Sequence, residues 1–347
     1  MKHSVFLESS IMQKGLPATA GSKMLEDFIA PVDAAVVEKL VGAGVEIVER
    51  VDIGEFGLSG LFEDGDVSFC EELTDAVSRF AKSDADAFLC NDFTGIISRA
   101  AVSEGLYYIH PTYGTVSRYG LISSVCSMDQ IGVVCKEPEA GFDVLKIISG
   151  YDSRDGIMVS DRADGKKAEE PSPCFEVDVN QVSNDYSGIY RQVMQILCAG
   201  EFSNNINRYD GIKFGYRARG YKDLNELYAR SRTEAFGEDV KLAAVVGAMV
   251  LYGDNYERYY NKAMCIRRLI KESPKFDMYD VIVGKCPFLS RLCGLPSLSV
   301  PGGHVYIADA GREDILKAVS KAVIGGNVSV GNDELSGKIK ALKGGAL

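Results

Sequence analysis

Residues 110–132 read HPTYGTVSRYGLISSVCSMDQIG, and helix and strand candidates alternate on both sides of this stretch. Before it, alanine, valine and leucine recur at helical spacing over residues 32–44, and a short apolar strand pattern follows directly. The same pairing of patterns returns over residues 70–82 and 85–90. After the stretch, residues 138–149 are typical of a helix, because proline suits its first turn. The alternation predicts an α/β fold in which helices cover a central sheet.

The second half of the chain predicts a helical subregion at about residues 186–272 and then a return to the sheet. Helical patterns cover residues 186–197, 223–236, 239–251 and 256–271, and strand patterns with a closing helix cover residues 279–283, 297–300, 305–308 and 313–323. We therefore predict one domain over residues 1–324. Charge, glycine and proline in residues 153–181 predict an exposed connection, and residues 325–347 are predicted to be a mobile or loosely docked tail.

Composition narrows the class of protein. The chain has 347 residues, of which 46% are hydrophobic and 25% charged, as in globular domains. Its net charge of -11 argues against direct binding of nucleic acid, which depends on clustered lysine and arginine. Nine cysteines without a C-x-x-C pair indicate reduced thiols, and we find neither a signal peptide nor a stretch long enough to span a membrane. These features predict a soluble cytoplasmic protein.

The stretch at 110–132 resembles the core signature of the amidase-signature hydrolases. The resemblance is strongest to the A subunits of glutamyl-tRNA(Gln) and aspartyl-tRNA(Asn) amidotransferases. Further blocks resemble this family in the family's own order: GLPATAGSKML (15–25), PVDAAVV (31–37), GEFGL (54–58), RYDGIKFGY (208–216), YYNKA (259–263) and GLPSLSVP (294–301). The resemblance implies an amidase-signature fold, in which a mixed sheet lies between helical layers. We expect this fold to be truncated at the N-terminus, without the family's N-terminal helices.

The family's catalytic residues fall on unsuitable side chains. In the family the signature follows a glycine-rich turn, G-S-D-T-G-G-S, whose last serine is the nucleophile; residues 90–96 read CNDFTGI, which puts Ile96 at that position. Counting back from Gly15 puts Glu8 at the position of the catalytic lysine. The bridging serine belongs to a G-S-S-G-G-S loop that residues 59–90 do not contain. Because isoleucine cannot attack a carbonyl, we predict no catalytic residue, and also no metal or cofactor.

A relocated nucleophile is the alternative that this sequence leaves open. Ser68, Ser98 and Ser103 lie close enough along the chain to be considered as substitutes. Cys70 and Cys90 are further candidates, although we favour buried structural thiols, because no histidine stands in a recognised pairing motif with them.

Arg267 lies where the resemblance implies the arginine that grips the carboxylate of glutamine through two parallel hydrogen bonds. It could equally face solvent or pair with a neighbouring acid on its helix. The family's acidic partner for the substrate ammonium should follow Asp280, but residues 284–289 run almost directly into the block at 294–301. We keep Asp92, Thr94, Gly95 and Arg267 as candidates for binding a small amide or amino acid.

We favour a non-catalytic relative of the amidotransferase A subunits that acts as a scaffold, regulatory or binding subunit. Its expected partner is an amidotransferase B-like or C-like subunit or an A-like paralogue. One alternative is an active amidase, or a glutamine-dependent amidotransferase A subunit in translation, with a relocated nucleophile. Another is a sensor that holds an amide or amino acid in the old pocket without cleaving it.

Overall fold

The centre of the molecule is a mixed β-sheet. The computed structural model of the chain describes residues 3–62, 71–158, 174–181, 187–274, 276–277, 280–324 and 337–342. The strands in this part of the chain are β1 (Ser4–Glu8), β2 (Glu46–Val51), β3 (Ala87–Asn91), β4 (Tyr107–His110), β5 (Ile131–Cys135), β6 (Cys174–Gln181), β7 (Val281–Gly284), β8 (Ser297–Val300), β9 (His304–Ala308) and β10 (Gly337–Leu342). They form one sheet in the order β10-β6-β7-β9-β8-β4-β5-β3-β1-β2. The pairs β1–β2, β1–β3 and β6–β7 are parallel, and the others are antiparallel.

Helices lie on both faces of this sheet. Those of the described chain are α1 (Ala35–Gly42), α2 (Glu71–Lys82), α3 (Ile96–Ser103), α4 (Pro138–Ile148), α5 (Tyr190–Asn205), α6 (Leu224–Ala235), α7 (Glu238–Leu251), α8 (Lys262–Glu272), α9 (Phe288–Cys293) and α10 (Glu313–Ile324). Residues of α1, α4 and α10 form one core with the sheet, whereas residues of α2, α3 and α5 to α9 form cores on the opposite face. The predicted α/β fold, a mixed sheet sandwiched by helices, is therefore confirmed.

The two-residue period of the strands explains the two layers. In β1, Val5 and Leu7 join the core beneath α1 and α4, while Phe6 points to the opposite core. Strand β3 alternates in the same way, with Leu89 on one side and Phe88 on the other. Because these strands are buried on both faces, their sequences read as continuous apolar runs rather than as alternating ones.

Two segments differ from the sequence-based expectation. The prediction of an exposed connection over residues 153–181 is wrong for 174–181, which form β6; residues 159–173 lie outside the described part. Of the predicted tail, residues 337–342 form β10, antiparallel to β6, and residues 325–336 and 343–347 lie outside the described part. Both strands alternate charged and apolar residues, which is a strand pattern, but the charge, glycine and proline around them gave the segments the composition of a loop. The boundary of a single domain at residue 324 stays a prediction.

Among the described residues, none of the helices is both long enough and apolar enough to cross a lipid bilayer.

Candidate functional site

The turn between β3 and α3 is shaped by Gly95. Its φ of 75° lies in the left-handed region, where glycine is favoured. A Cβ at this position would also lie 2.5 Å from Cγ of Pro287, so a larger residue would have to push that proline away. The Gly95 carbonyl accepts hydrogen bonds from Ser98 Oγ at 3.0 Å and from Arg99 Nε at 3.2 Å. The turn is therefore tightly packed rather than open toward a ligand.

Ile96, the residue at the nucleophile position, points into an apolar core. It is 2% exposed and belongs to a cluster with Leu73, Phe88 and other side chains of α2, α3 and the sheet. Its Cδ1 fills the space next to Gly60, where an added Cβ would approach it to 2.6 Å. A hydrocarbon side chain in this setting offers no electron pair and no path to a substrate carbonyl.

Asp92 acts as a structural cap. Its two carboxylate oxygens accept hydrogen bonds from the backbone N–H groups of Ile97 and Ser98, both at 3.0 Å, at the start of α3. An acid at a helix N-terminus satisfies donors that otherwise have no partner in the helix. Its Oδ2 also lies 2.9 Å from Nη2 of Arg291, and both side chains are fully buried. Its carboxylate is thus fully engaged within the protein, which argues against a role in holding a ligand.

The sequence analysis missed Arg291. Besides the ion pair, its Nε donates to the Asp92 carbonyl at 2.7 Å, and its Nη1 donates to Ser290 Oγ at 3.0 Å and Ser297 Oγ at 3.3 Å. This guanidinium joins α9, the turn between β3 and α3 (the nucleophile turn) and β8. The sequence signal that could have indicated such a cation was Asp92, because a buried carboxylate requires a cation or several hydrogen-bond donors. Thr94, another predicted ligand residue, is buried in the same turn.

Glu8, at the position of the family's lysine, is buried at the end of β1. Its Oε2 accepts the backbone N–H of Asn91 at 2.6 Å, and Ser10 Oγ donates to its Oε1. Burial raises the pKa of Glu8 to about 7, and the nearby negative charges of Asp129 and Asp52 add to this. The two hydrogen bonds oppose the rise only in part. The group is therefore a weak acid near neutral pH and not the lysine base of the family.

The surroundings of Glu8 form a connected polar network. Asn91 donates through Nδ2 to Asp129 Oδ1 at 2.9 Å and accepts the backbone N–H of Gln130 at 2.9 Å. Asp129 also accepts the backbone N–H groups of Ser124 and Val125 at 3.0 Å. The network ties β1, β3 and the loop before β5 together. Its donors and acceptors are directed at each other, which fits a structural role.

Arg267 lies apart from this network, half-buried on α8. Its Nε donates to the Leu292 carbonyl at 2.7 Å, and its two Nη atoms donate to Ser127 Oγ at 2.8 Å and the Ser127 carbonyl at 2.9 Å. It lines a surface depression of about 340 Å³ together with Tyr113, Cys293 and others, and Asp92, Thr94 and Gly95 are not part of that lining. Leu292 and Arg291 are adjacent on α9 and point in different directions, so α9 stands between Arg267 and Asp92.

The predicted substitute nucleophiles lie in unsuitable surroundings. Ser98 and Ser103 donate to the backbone carbonyls of Gly95 and Ala100, at 3.0 and 2.8 Å, as serines in helices commonly do. Cys90 is fully buried, and this burial, with the charges of Glu8 and Asp92, raises the pKa of its thiol well above the ordinary value. Ser68 and Cys70 lie outside the described residues. The described residues also contain no group of three or more metal-ligating side chains placed to hold an ion.

Solved structures share this fold. The A subunit of glutamyl-tRNA(Gln) amidotransferase from Thermotoga maritima matches with a TM-score of 0.64 over 99% of this chain and 86% of that chain, at 22% identity. The peptide amidase PAM, solved in complex with the competitive inhibitor chymostatin, matches with a TM-score of 0.70 over 94% of this chain and 83% of that chain, at 18% identity. Both likenesses concern the fold.

Sequence relatives define the family. No family model matches the chain. The A subunit of glutamyl-tRNA(Gln) amidotransferase of Lachnoclostridium phytofermentans is 30% identical over 86% of this chain and 75% of the relative. The protein of the same name from Lactococcus lactis subsp. cremoris is 28% identical over 92% of this chain and 80% of the relative. With this identity over most of both sequences and the shared amidase-signature fold, the chain belongs to the family of glutamyl-tRNA(Gln) amidotransferase A subunits.

Proposed function

We propose that this protein is a non-catalytic member of its family that serves as a scaffold, regulatory or binding subunit. The observation that carries the proposal is the position of Ile96, buried in apolar core where the family's nucleophile is expected. Glu8 supports it independently, since a buried acid replaces the base. The chain thus lacks both the nucleophile and the base that would activate it. Either substitution alone would already disable the triad.

Incubation with glutamine, asparagine and simple amides is expected to release no ammonia, because none of the described residues presents an activated nucleophile to a substrate site. A sulfonyl fluoride should likewise leave the intact mass of the protein unchanged. A family member that carries the serine–serine–lysine triad is the positive control. Ammonia release, or an adduct whose position is mapped by peptide mass, would contradict the proposal and identify the active enzyme with a relocated nucleophile.

A second candidate function is an amino-acid sensor at the depression next to Arg267. Arg267 uses three of its N–H groups on Ser127 and Leu292, and a guanidinium has five. Two N–H groups therefore have no partner among the described residues and can donate to a carboxylate. The melting temperature of the protein with and without glutamine tests this function. A rise that disappears in Arg267→Met would support the sensor, and an unchanged melting temperature would argue against it.

An apolar stripe on α7 supports a role in association. It consists of Leu242, Val245 and Met249 on α7 and of Tyr252 directly after the helix, all exposed, with Val245 68% and Tyr252 80% accessible. The opposite side of α7 packs on α5 so closely that a Cβ at Gly247 would lie 2.0 Å from the Ala199 carbonyl oxygen. A helix that is apolar on nearly all sides is ordinarily covered on all sides.

We assign this stripe to an amidotransferase B-like or C-like subunit. The relatives are named as one subunit of an amidotransferase, and a subunit needs a surface for its partners. An A-like paralogue and a second copy of this chain are the competing occupants. We infer a cytoplasmic location from such a partner in a tRNA-modifying enzyme. Contact with RNA would fall to that partner, since the chain itself carries a net charge of -11.

Val245→Glu is expected to weaken this association at least about tenfold, because it buries a charge in the centre of an apolar contact. Association is measured by size-exclusion chromatography with light scattering, after mixing with the amidotransferase B and C subunits of the same genome. Val41→Glu is the matched control, since Val41 is 61% exposed but lies on α1. Equal binding by both variants, or dimerisation of the chain alone through the stripe, would overturn the assignment.

A further inference from the structure

We propose that a second pocket, beside the C-terminal half of α3, binds a small organic carboxylate with a hydroxyl or carbonyl group on its apolar chain. The pocket has a volume of about 460 Å³. Its walls come from α3, the segment after β7, β8 and the turn between β8 and β9. This inference goes beyond the proposed function, since it needs neither amide chemistry nor a protein partner.

Ser299 is the observation that points to a ligand. Its side chain is 2% exposed and lines the pocket, yet its Oγ has no hydrogen-bond partner in the described part of the protein. A buried hydroxyl without a partner costs free energy, and nearly all such groups in proteins are satisfied. Ser98 and Ser103, also in the lining, already donate to backbone carbonyls of α3 and its turn. Ser299 is thus able to donate to, or accept from, a polar atom of a bound molecule.

The charge of the lining selects an anion. Lys285 is exposed at the rim, and Arg99 lies on the α3 side, where its Nε donates to the Gly95 carbonyl. Among the described residues that line the pocket, none is an aspartate or a glutamate. We assign the contact with the carboxylate to Lys285, whose ammonium can donate to it from the rim.

The remaining walls select an apolar body. Val102, Pro287 and Val305 contribute hydrocarbon surface to the lining. Gly302 and Gly303 also line the pocket, and because both have positive φ, side chains that would narrow it are disfavoured there. A hydroxy acid that spans the pocket would pair its carboxylate with Lys285, cover the apolar walls and bring its hydroxyl to Ser299. A few polar groups in a mainly apolar concavity are typical of small-molecule sites.

The test uses two series of probes on the full chain. One consists of straight-chain ω-hydroxy carboxylates of about four to eight carbons, and the other of the corresponding acids without the hydroxyl. Binding is measured by isothermal titration and by the shift in melting temperature. We expect saturable binding of at least one hydroxy acid, tighter than that of its plain acid, and no binding of the corresponding neutral amide.

Three variants locate the binding. Lys285→Gln should weaken it about fivefold, as expected for one partly solvated ion pair. Ser299→Ala should abolish the advantage of the hydroxy acid over the plain acid without unfolding the protein, since its Oγ makes no hydrogen bond to any residue that the structure describes. Lys271→Gln, at the depression beside Arg267, is the matched control and should bind as the wild type does.

Binding of none of the acids would overturn the proposal. Binding that is unchanged in both Lys285→Gln and Ser299→Ala, or that is lost in Lys271→Gln instead, would overturn it as well, since the acid would then lie elsewhere. Each of these results is independent of whether the protein hydrolyses amides or binds an amidotransferase partner.

Discussion

Arg291→Met is expected to lower the free energy of unfolding by about 3–5 kcal/mol, as measured by urea denaturation, because it leaves a buried charge on Asp92 without its partner. Asp92 keeps the two backbone N–H donors of α3, which prevents a larger loss. The methionine fills much of the volume but reaches neither Ser290 nor Ser297. The free energy of unfolding of Arg291→Lys should lie between those of the wild type and Arg291→Met, because lysine retains the positive charge but lacks the forked N–H donors of arginine.

The exposed ion pair of Arg312 and Asp314 supplies the control for this measurement. Their side chains are 38% and 30% accessible, so Arg312→Met should change stability by less than about 1 kcal/mol. If Arg291→Met lowered the free energy of unfolding no more than Arg312→Met does, the Arg291 guanidinium would not be what holds the nucleophile turn against α9. The conclusion that Arg291 engages Asp92 and so keeps it from binding a ligand would then be wrong.

Most of the layered fold could be predicted from the sequence, because burial imposes clear periods on the chain. The predicted helix over residues 239–251 is α7 (Glu238–Leu251), and the predicted strand over 297–300 is β8. Strands β6 and β10 were missed although apolar and charged residues alternate along them, because the segments around them are rich in charge and glycine and indicated a connection and a tail. Their pairing at one edge of the sheet depends on residues far apart in sequence, which a local window does not contain.

The candidate site could be predicted only in its outline. Motif positions pointed to Glu8, Asp92 and Ile96, and the structure places all three in the buried region around the end of β3. Their bonding could not be predicted, because Arg291 lies about two hundred residues from Asp92 along the chain. Arg267 was grouped with Asp92 by family position, whereas α9 lies between them.

Glu8→Gln is expected to stabilise the protein by about 3 kcal/mol at pH 8 and to change its stability little at pH 4. The pKa of Glu8 in the folded protein is about 7, against an ordinary value of 4.5, and this difference corresponds to about 3 kcal/mol. Between these two values the folded protein binds more protons at Glu8 than the unfolded chain does. Stability from this group is therefore fully present below pH 4.5 and is lost as the pH rises through 7.

Glutamine can retain both contacts of Glu8, since its carbonyl oxygen can accept the Asn91 N–H and its amide can donate to Ser10 Oγ. The variant should thus remove the charge while preserving the network. Urea denaturation of wild type and variant across pH 4 to 9 isolates the contribution of Glu8 as the difference between the two curves, and Glu26→Gln, on an exposed residue, controls for the change in net charge. A stability difference that did not grow between pH 4.5 and 7 would show that Glu8 is ionised in the folded protein. A cation would then have to balance the buried carboxylate, and the conclusion that Glu8 is a weak acid at the position of the family's lysine would be wrong.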